Sequence, residues 1–196
     1  PIKTFEEKIV WVKGMKGSER RLAFIRGDLN ATRENPAAYK KHVLPVIKKG
    51  DAYTWFHHGL LDVSTGQHGK DPNFTEPTFE ALYEATYGVA PSGDFYDAYK
   101  LVKSWRDALQ KAFWVNKGNP NKDKLVAALN KMINDPESVA AIEKKVGKYE
   151  WRTGTDGDAA VRTLKSFITP EALRTLADFK SQQLGYNTVY KKELTE

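Results

Sequence analysis

The first residues able to do chemistry form a short turn. Gly14 and Gly17 bracket it, Ser18 ends it, and Lys13 and Lys16 add positive charge. The apolar, β-branched run at residues 8–12 before it reads as a buried strand. Behind it, Leu22, Ala23 and Ile25 read as a helix that Ser18 caps and Gly27 terminates. A turn at that place offers free backbone N–H groups and the positive end of a helix dipole to an anion. Gly14 and Gly17 let the backbone approach, Ser18 adds a hydroxyl and Lys16 a charge. The same residues also suit an ordinary tight turn from strand to helix, and sequence alone leaves both readings open. Arg33 follows a second candidate strand at residues 28–32. Its guanidinium can fork onto a carboxylate or sit in an exposed ion pair.

Four histidines, His42, His57, His58 and His68, raise the question of a metal. Adjacent His57 and His58 on an extended segment point to opposite faces, and the helical spacings His-x-x-x-His and Glu-x-x-His do not occur, so a metal site is not expected. Residues 66–70, Gly-Gln-His-Gly-Lys, lack the spacing and the hydroxyl residue of a phosphate loop, and residues 155–158 fail the calcium-loop pattern. The absence of cysteine excludes thiol catalysis, disulfides and thiolate ligands. A nucleophile elbow, a His poised on a carboxylate and a paired acid and base are all missing, so neither catalysis nor a cofactor is expected.

The elements that would position such a site alternate in type. Residues 52–56, Ala-Tyr-Thr-Trp-Phe, and 113–115, Phe-Trp-Val, read as further strands, with Trp55 and Trp114 favouring burial. Asn35-Pro36, Asp135-Pro136 and Thr169-Pro170 each place a capping residue before a helix-starting proline, and Pro45 interrupts the first of these helices. Helical patterns recur near Phe79 and over residues 94–109; Leu125, Leu129, Met132 and Ile133 form a core stripe, and Gly185 closes a last helix. Residues 62–77 form a loop longer than a compact domain usually spends on a connection, which suggests that it covers something functional. Strands and helices joined by glycine and Asn-Pro turns predict an α/β fold with a largely parallel sheet.

At 196 residues and 40% hydrophobic content the chain can bury a core. The net charge of +6 is dispersed: Lys40, Lys41, Lys48 and Lys49 flank apolar helical positions, and Lys144 and Lys145 sit beside Glu143. That pattern reads as a solvated basic surface, not a nucleic-acid groove. No run of 18 apolar residues is present, so membrane insertion is not expected.

Several motifs in order resemble the substrate receptors of tripartite tricarboxylate transporters, the TctC or Bug type. They are the strand and Lys-Gly turn at residues 10–14, Gly27-Asp28-Leu29-Asn30, the Leu-Pro run at residues 44–50, the block from Asp71 to Tyr83, and Lys117-Gly118-Asn119-Pro120 with the helix and Asp135-Pro136-Glu137 turn after it. Asn30 stands where the family carries an acid, and Tyr53-Thr54-Trp55 replaces its Ala-Val-Thr strand. The resemblance implies a periplasmic-binding-protein type II-like fold, with mostly parallel sheet and flanking helices. Residues 1–112 would form a second-lobe-like α/β domain, incomplete at its start, and residues 113–196 a strand and helices returning to the first lobe. It further implies a periplasmic, non-enzymatic receptor that captures a small organic carboxylate for membrane transporter subunits. Under that reading Gly14, Lys16, Gly17, Ser18 and Arg33 bind the ligand, and a second polypeptide could supply the missing lobe. The alternative is a non-catalytic interaction or structural subunit, built on such a lobe after losing its ligand site.

Overall fold

A computed structural model describes residues 10–62, 65, 67–71, 74–109, 112–146, 149–182 and 185. Lys8 and Ile9 of the first expected strand, Gly66, Pro72, Asn73 and Leu184 lie outside the described residues. The chain separates into two compact units, Pro1–Tyr53 and Thr54–Glu196.

The first unit is helical. Helix α1, Gly17–Arg26, ends on Gly27, whose left-handed φ of 85° lets its N–H reach back to the last turn. Helix α2 follows in three pieces, Pro36–Ala38, a π-helical turn Tyr39–Val43, and Leu44–Lys48. The Asn35 side chain caps it by accepting the Ala38 N–H at 3.0 Å, as the Asn-Pro start predicts. The π turn has a local cause in Pro45, which lacks an N–H and crowds the preceding turn. The wider loop, closed by Leu44 N–H on the Tyr39 carbonyl, accommodates it without ending the helix.

The second unit contains strands β1, Leu60–Asp62, and β2, Gln67–Gly69, then helices α3, Phe79–Tyr87, α4, Asp94–Leu109, α5, Lys122–Ile133, α6, Pro136–Val146, α7, Gly154–Lys165, and α8, Pro170–Gln182. Helix α4 is the organising element: α7, α8 and β1 all pack on it. Its Trp105, Ala108 and Leu109 close over buried Leu61, Ala160 and Leu164, with Phe167 completing the cluster. Thr169 and Asp135 cap α8 and α6 by accepting the N–H groups of Ala172 and Ser138, as their Thr-Pro and Asp-Pro starts predict.

The expected α/β fold with a largely parallel sheet is not what forms. The described residues are mainly helical, and their single sheet is the antiparallel hairpin β1–β2, with Leu61 opposite His68. Residues 10–12, 28–32 and 113–115, read as strands, lie outside any strand, and residues 52–56 lead only into an isolated parallel bridge between His57 and Thr78. Apolar β-branched runs state a preference, but a sheet needs a partner for each backbone edge. Here the apolar surface available for burial is taken by α4 and the helices around it. The runs at residues 10–12 and 113–115 are therefore exposed, Trp114 to 72%, and Trp55 is 53% exposed. The stripe on α5 is helical as expected, yet Leu125 is exposed and the helix contributes no buried residue.

Candidate functional site

The turn expected to bind an anion is a helix start of a different kind. Gly14 takes a left-handed φ of 87°, Lys16 is the N-cap of α1, and Gly17 and Ser18 lie inside its first turn, so Ser18 is not the cap. Glu19 folds back onto this end and accepts the Lys16 N–H at 2.9 Å. A carboxylate of the chain itself thus occupies the positive end of the helix, where a ligand anion would meet repulsion as well as N–H groups. Arg33 is exposed, and its backbone carbonyl accepts Arg20 Nη2 at 2.8 Å. The neighbouring Arg20 and Arg21 turn to half-buried Glu34, with Arg21 Nε 3.1 Å from its carboxylate. Arg20 and Arg21 therefore serve an internal acid.

A denser polar cluster lies in the second unit, on one face of α4. Tyr96, Tyr99, Lys100, Lys103, Ser104 and Asp107 recur at spacings of three and four residues and share that face. Facing them is the segment expected to be a functional loop. It contains β2, which sets His68 Nε2 3.3 Å from Ser104 Oγ, while His58, just before the hairpin, places Nδ1 2.9 Å from the Tyr99 hydroxyl. Lys103 Nζ donates to Asp107 Oδ2 at 3.0 Å, and the Tyr96 hydroxyl donates to Glu80.

Aromatic rings wrap this cluster. Trp55 meets Phe56, Phe56 meets Phe79, and Phe79 touches both Tyr83 and Tyr99, with centroids 4.8 Å apart in the last pair. Glycine is required where the hairpin joins: Gly59 has a φ of 73°, and a Cβ there would collide with the Gly69 carbonyl oxygen.

Burial sets the charge states. Desolvation, reinforced by the Lys103 and Lys100 ammonium groups, lowers the His68 pKa to about 4, so its imidazole is neutral at pH 7 and can accept the Ser104 proton. His58 and His57 shift down for the same primary reason, loss of solvent. Desolvation raises the Tyr99 hydroxyl, and raises Tyr96 to about 12 with help from Glu80. It also opposes charge on both members of the Lys103–Asp107 pair, lowering the lysine and raising the aspartate, while each partner pulls the other back.

A serine bonded to a neutral histidine is half of a nucleophile and base arrangement. Ser104, however, is 0% exposed, so a substrate carbonyl has no approach to its hydroxyl. The cluster works as polar packing that fastens the hairpin to α4. Among the described residues, no three His, Asp or Glu side chains stand together in a way that could hold a metal ion. No helix among them is long and apolar enough to cross a membrane. No family model, curated protein or solved structure matches this chain. The resemblance to tricarboxylate receptors therefore rests on the sequence motifs alone.

Proposed function

We propose that this chain is a recognition protein without catalytic chemistry of its own. It docks an extended segment of a second polypeptide, as one part of a receptor that captures a small organic carboxylate for a membrane transporter. The observation that carries the docking half is the exposure of Phe113, Trp114 and Val115 outside any helix or strand. Burying most of an aromatic side chain is worth roughly 3 kcal/mol at about 25 cal/mol per Å². A solvent-exposed run of this kind is a ready edge for strand addition, in which backbone hydrogen bonds give affinity and alternate side chains enter pockets. Lys117 follows this run, so the fitting occupant is a strand-forming segment with an acidic flank.

The carboxylate half is supported by the ordered motifs, from the Lys-Gly turn to the Asp-Pro-Glu turn. Both halves are tested on the protein isolated from its source at native level. The protein should elute in an assembly larger than its own polypeptide as sized on a denaturing gel, with the amides of residues 113–115 protected from hydrogen exchange. Trp114→Lys should release it as a single chain of unchanged melting temperature. Elution of the wild type as a lone chain with freely exchanging 113–115 amides would refute docking. Absence of saturable heat when the assembly is titrated with citrate and succinate would refute the carboxylate reading.

A further inference from the structure

The β1–β2 hairpin turns one face to α4 and the other to solvent. Leu61 and His68 stand opposite each other across it and so share the face toward α4, while Leu60, Asp62, Gln67 and Gly69 are exposed. The attachment is therefore one buried leucine, the His68 bond to Ser104 and, just before the hairpin, the His58 bond to Tyr99.

Both bonds end one helical turn from a lysine. Tyr99 and Lys103, and likewise Lys100 and Ser104, are four residues apart and neighbours on one face of α4. The Lys103 side chain is 3% exposed, so solvent screens it little. The acids nearby are already engaged: Asp107 holds Lys103, Asp97 holds Lys100, and Glu80 accepts from the Tyr96 hydroxyl. Lys70, Asp71 and Glu76 act on the adjacent His57, and the Phe167 ring, from the turn after α7, lies 6.2 Å from that of His68. A proton on His68 thus sets an imidazolium beside two ammonium groups whose carboxylates are taken. His58 adds a second charge near Lys103, although as an exposed residue it keeps more of its hydration.

We propose that the hairpin is an acid-released flap: protonation of His68, with His58 in support, lifts it from α4 and uncovers Ser104, while α7 and α8 stay packed on α4. The sign follows from burial. The neutral imidazole is the form held against α4, with its pKa brought down to about 4, so the attachment is intact above the ordinary 6.5 and is lost as pH falls toward 4. That difference raises the ratio of released to attached hairpin about 100-fold between pH 7 and pH 4. A two-stranded hairpin does not hold alone, so its amides exchange once it is released. The device does not depend on the docking reading.

The test is hydrogen exchange of the full chain at pH 7 and pH 4, with rates corrected for the intrinsic effect of pH. Protection of the β1 and β2 amides should fall about 100-fold, while α8 keeps its own. His58→Gln/His68→Gln, which can keep both bonds and takes no proton, should retain hairpin protection at pH 4, which separates the histidines from carboxylates titrating over the same range. Imidazole NMR of the wild type supplies a readout that needs no variant: His68 should titrate below 6.5, in step with the loss of hairpin protection. Unchanged hairpin protection at pH 4, an equal loss in α8, equal release in the double variant, or titration of His68 at 6.5 or above would overturn the proposal.

Discussion

Replacing Asp107 by Asn tests how the ion pair on α4 is held. The Lys103 side chain is 3% exposed and that of Asp107 25%, with 3.0 Å between Nζ and Oδ2. Asparagine keeps an acceptor but removes the charge, leaving an ammonium group in a site that desolvation already disfavours for it. Breaking a buried pair from one side costs about 3–5 kcal/mol, a large part of the roughly 5–15 kcal/mol that holds a typical domain together. At about 2–4 °C per kcal/mol for a chain of this size, the melting temperature should fall by about 6–20 °C.

The converse change, Lys103→Met, should cost less, because Asp107 is nearer solvent and can take up a proton. Its pKa is already raised, chiefly by burial, and rises further without the lysine. A raised folded-state pKa favours the fold at low pH and loses that advantage as pH climbs. The Lys103→Met deficit should therefore be small near pH 4 and grow toward pH 8, while Lys103→Met/Asp107→Leu should recover most of the stability at neutral pH. Urea or thermal unfolding followed by circular dichroism at several pH values reads all three variants. If Asp107→Asn stays within about 1 kcal/mol of the wild type, the ammonium is solvated and the argument from burial fails.

Two further outcomes follow from the same cluster. Gly59→Ala should destabilise by at least about 2 kcal/mol, adding the strain of a left-handed backbone to a clash with the Gly69 carbonyl; a melting temperature equal to that of the wild type would show that the hairpin joint is looser than described. Neutral His68 contributes stability that is present above its ordinary pKa of 6.5 and is lost as pH falls toward the folded value of about 4. His68→Gln, which can keep the bond to Ser104, should flatten the stability profile over that interval, and an unchanged slope would assign the acid sensitivity to other groups.

What could be read from the sequence was local. Asn35-Pro36, Asp135-Pro136 and Thr169-Pro170 start helices because a side-chain oxygen reaches an N–H three residues on, and Gly27 ends one because its φ does so at no cost. The runs at residues 10–12, 28–32, 52–56 and 113–115 read as strands yet form none, because strand formation is decided by distant edges that a local run of residues does not reveal. The polar cluster is not legible in the sequence for a related reason. Lys103, Ser104 and Asp107 at helical spacing look like a solvated face, and the histidine that covers Ser104 lies 36 residues away. Residues 62–77 read as a long loop, and the strand β2 that they hold is not announced by its Gln-His-Gly sequence. The turn at residues 14–18 is legible as a helix start, whereas the return of Glu19 to its positive end is not, because the cap is Lys16 and not the serine or threonine of the usual capping box.

The contrast between the tryptophans of the second unit has a practical consequence. Trp105 sits in the core with its indole nitrogen buried, whereas Trp55 and Trp114 stand largely in water. An indole in water emits at longer wavelength than one in an apolar site, so the unoccupied chain should show a composite spectrum with a red component that small quenchers extinguish. Covering Trp114 alone would remove part of that component and leave the core emission in place, making the chain an unlabelled optical gauge of its own occupancy.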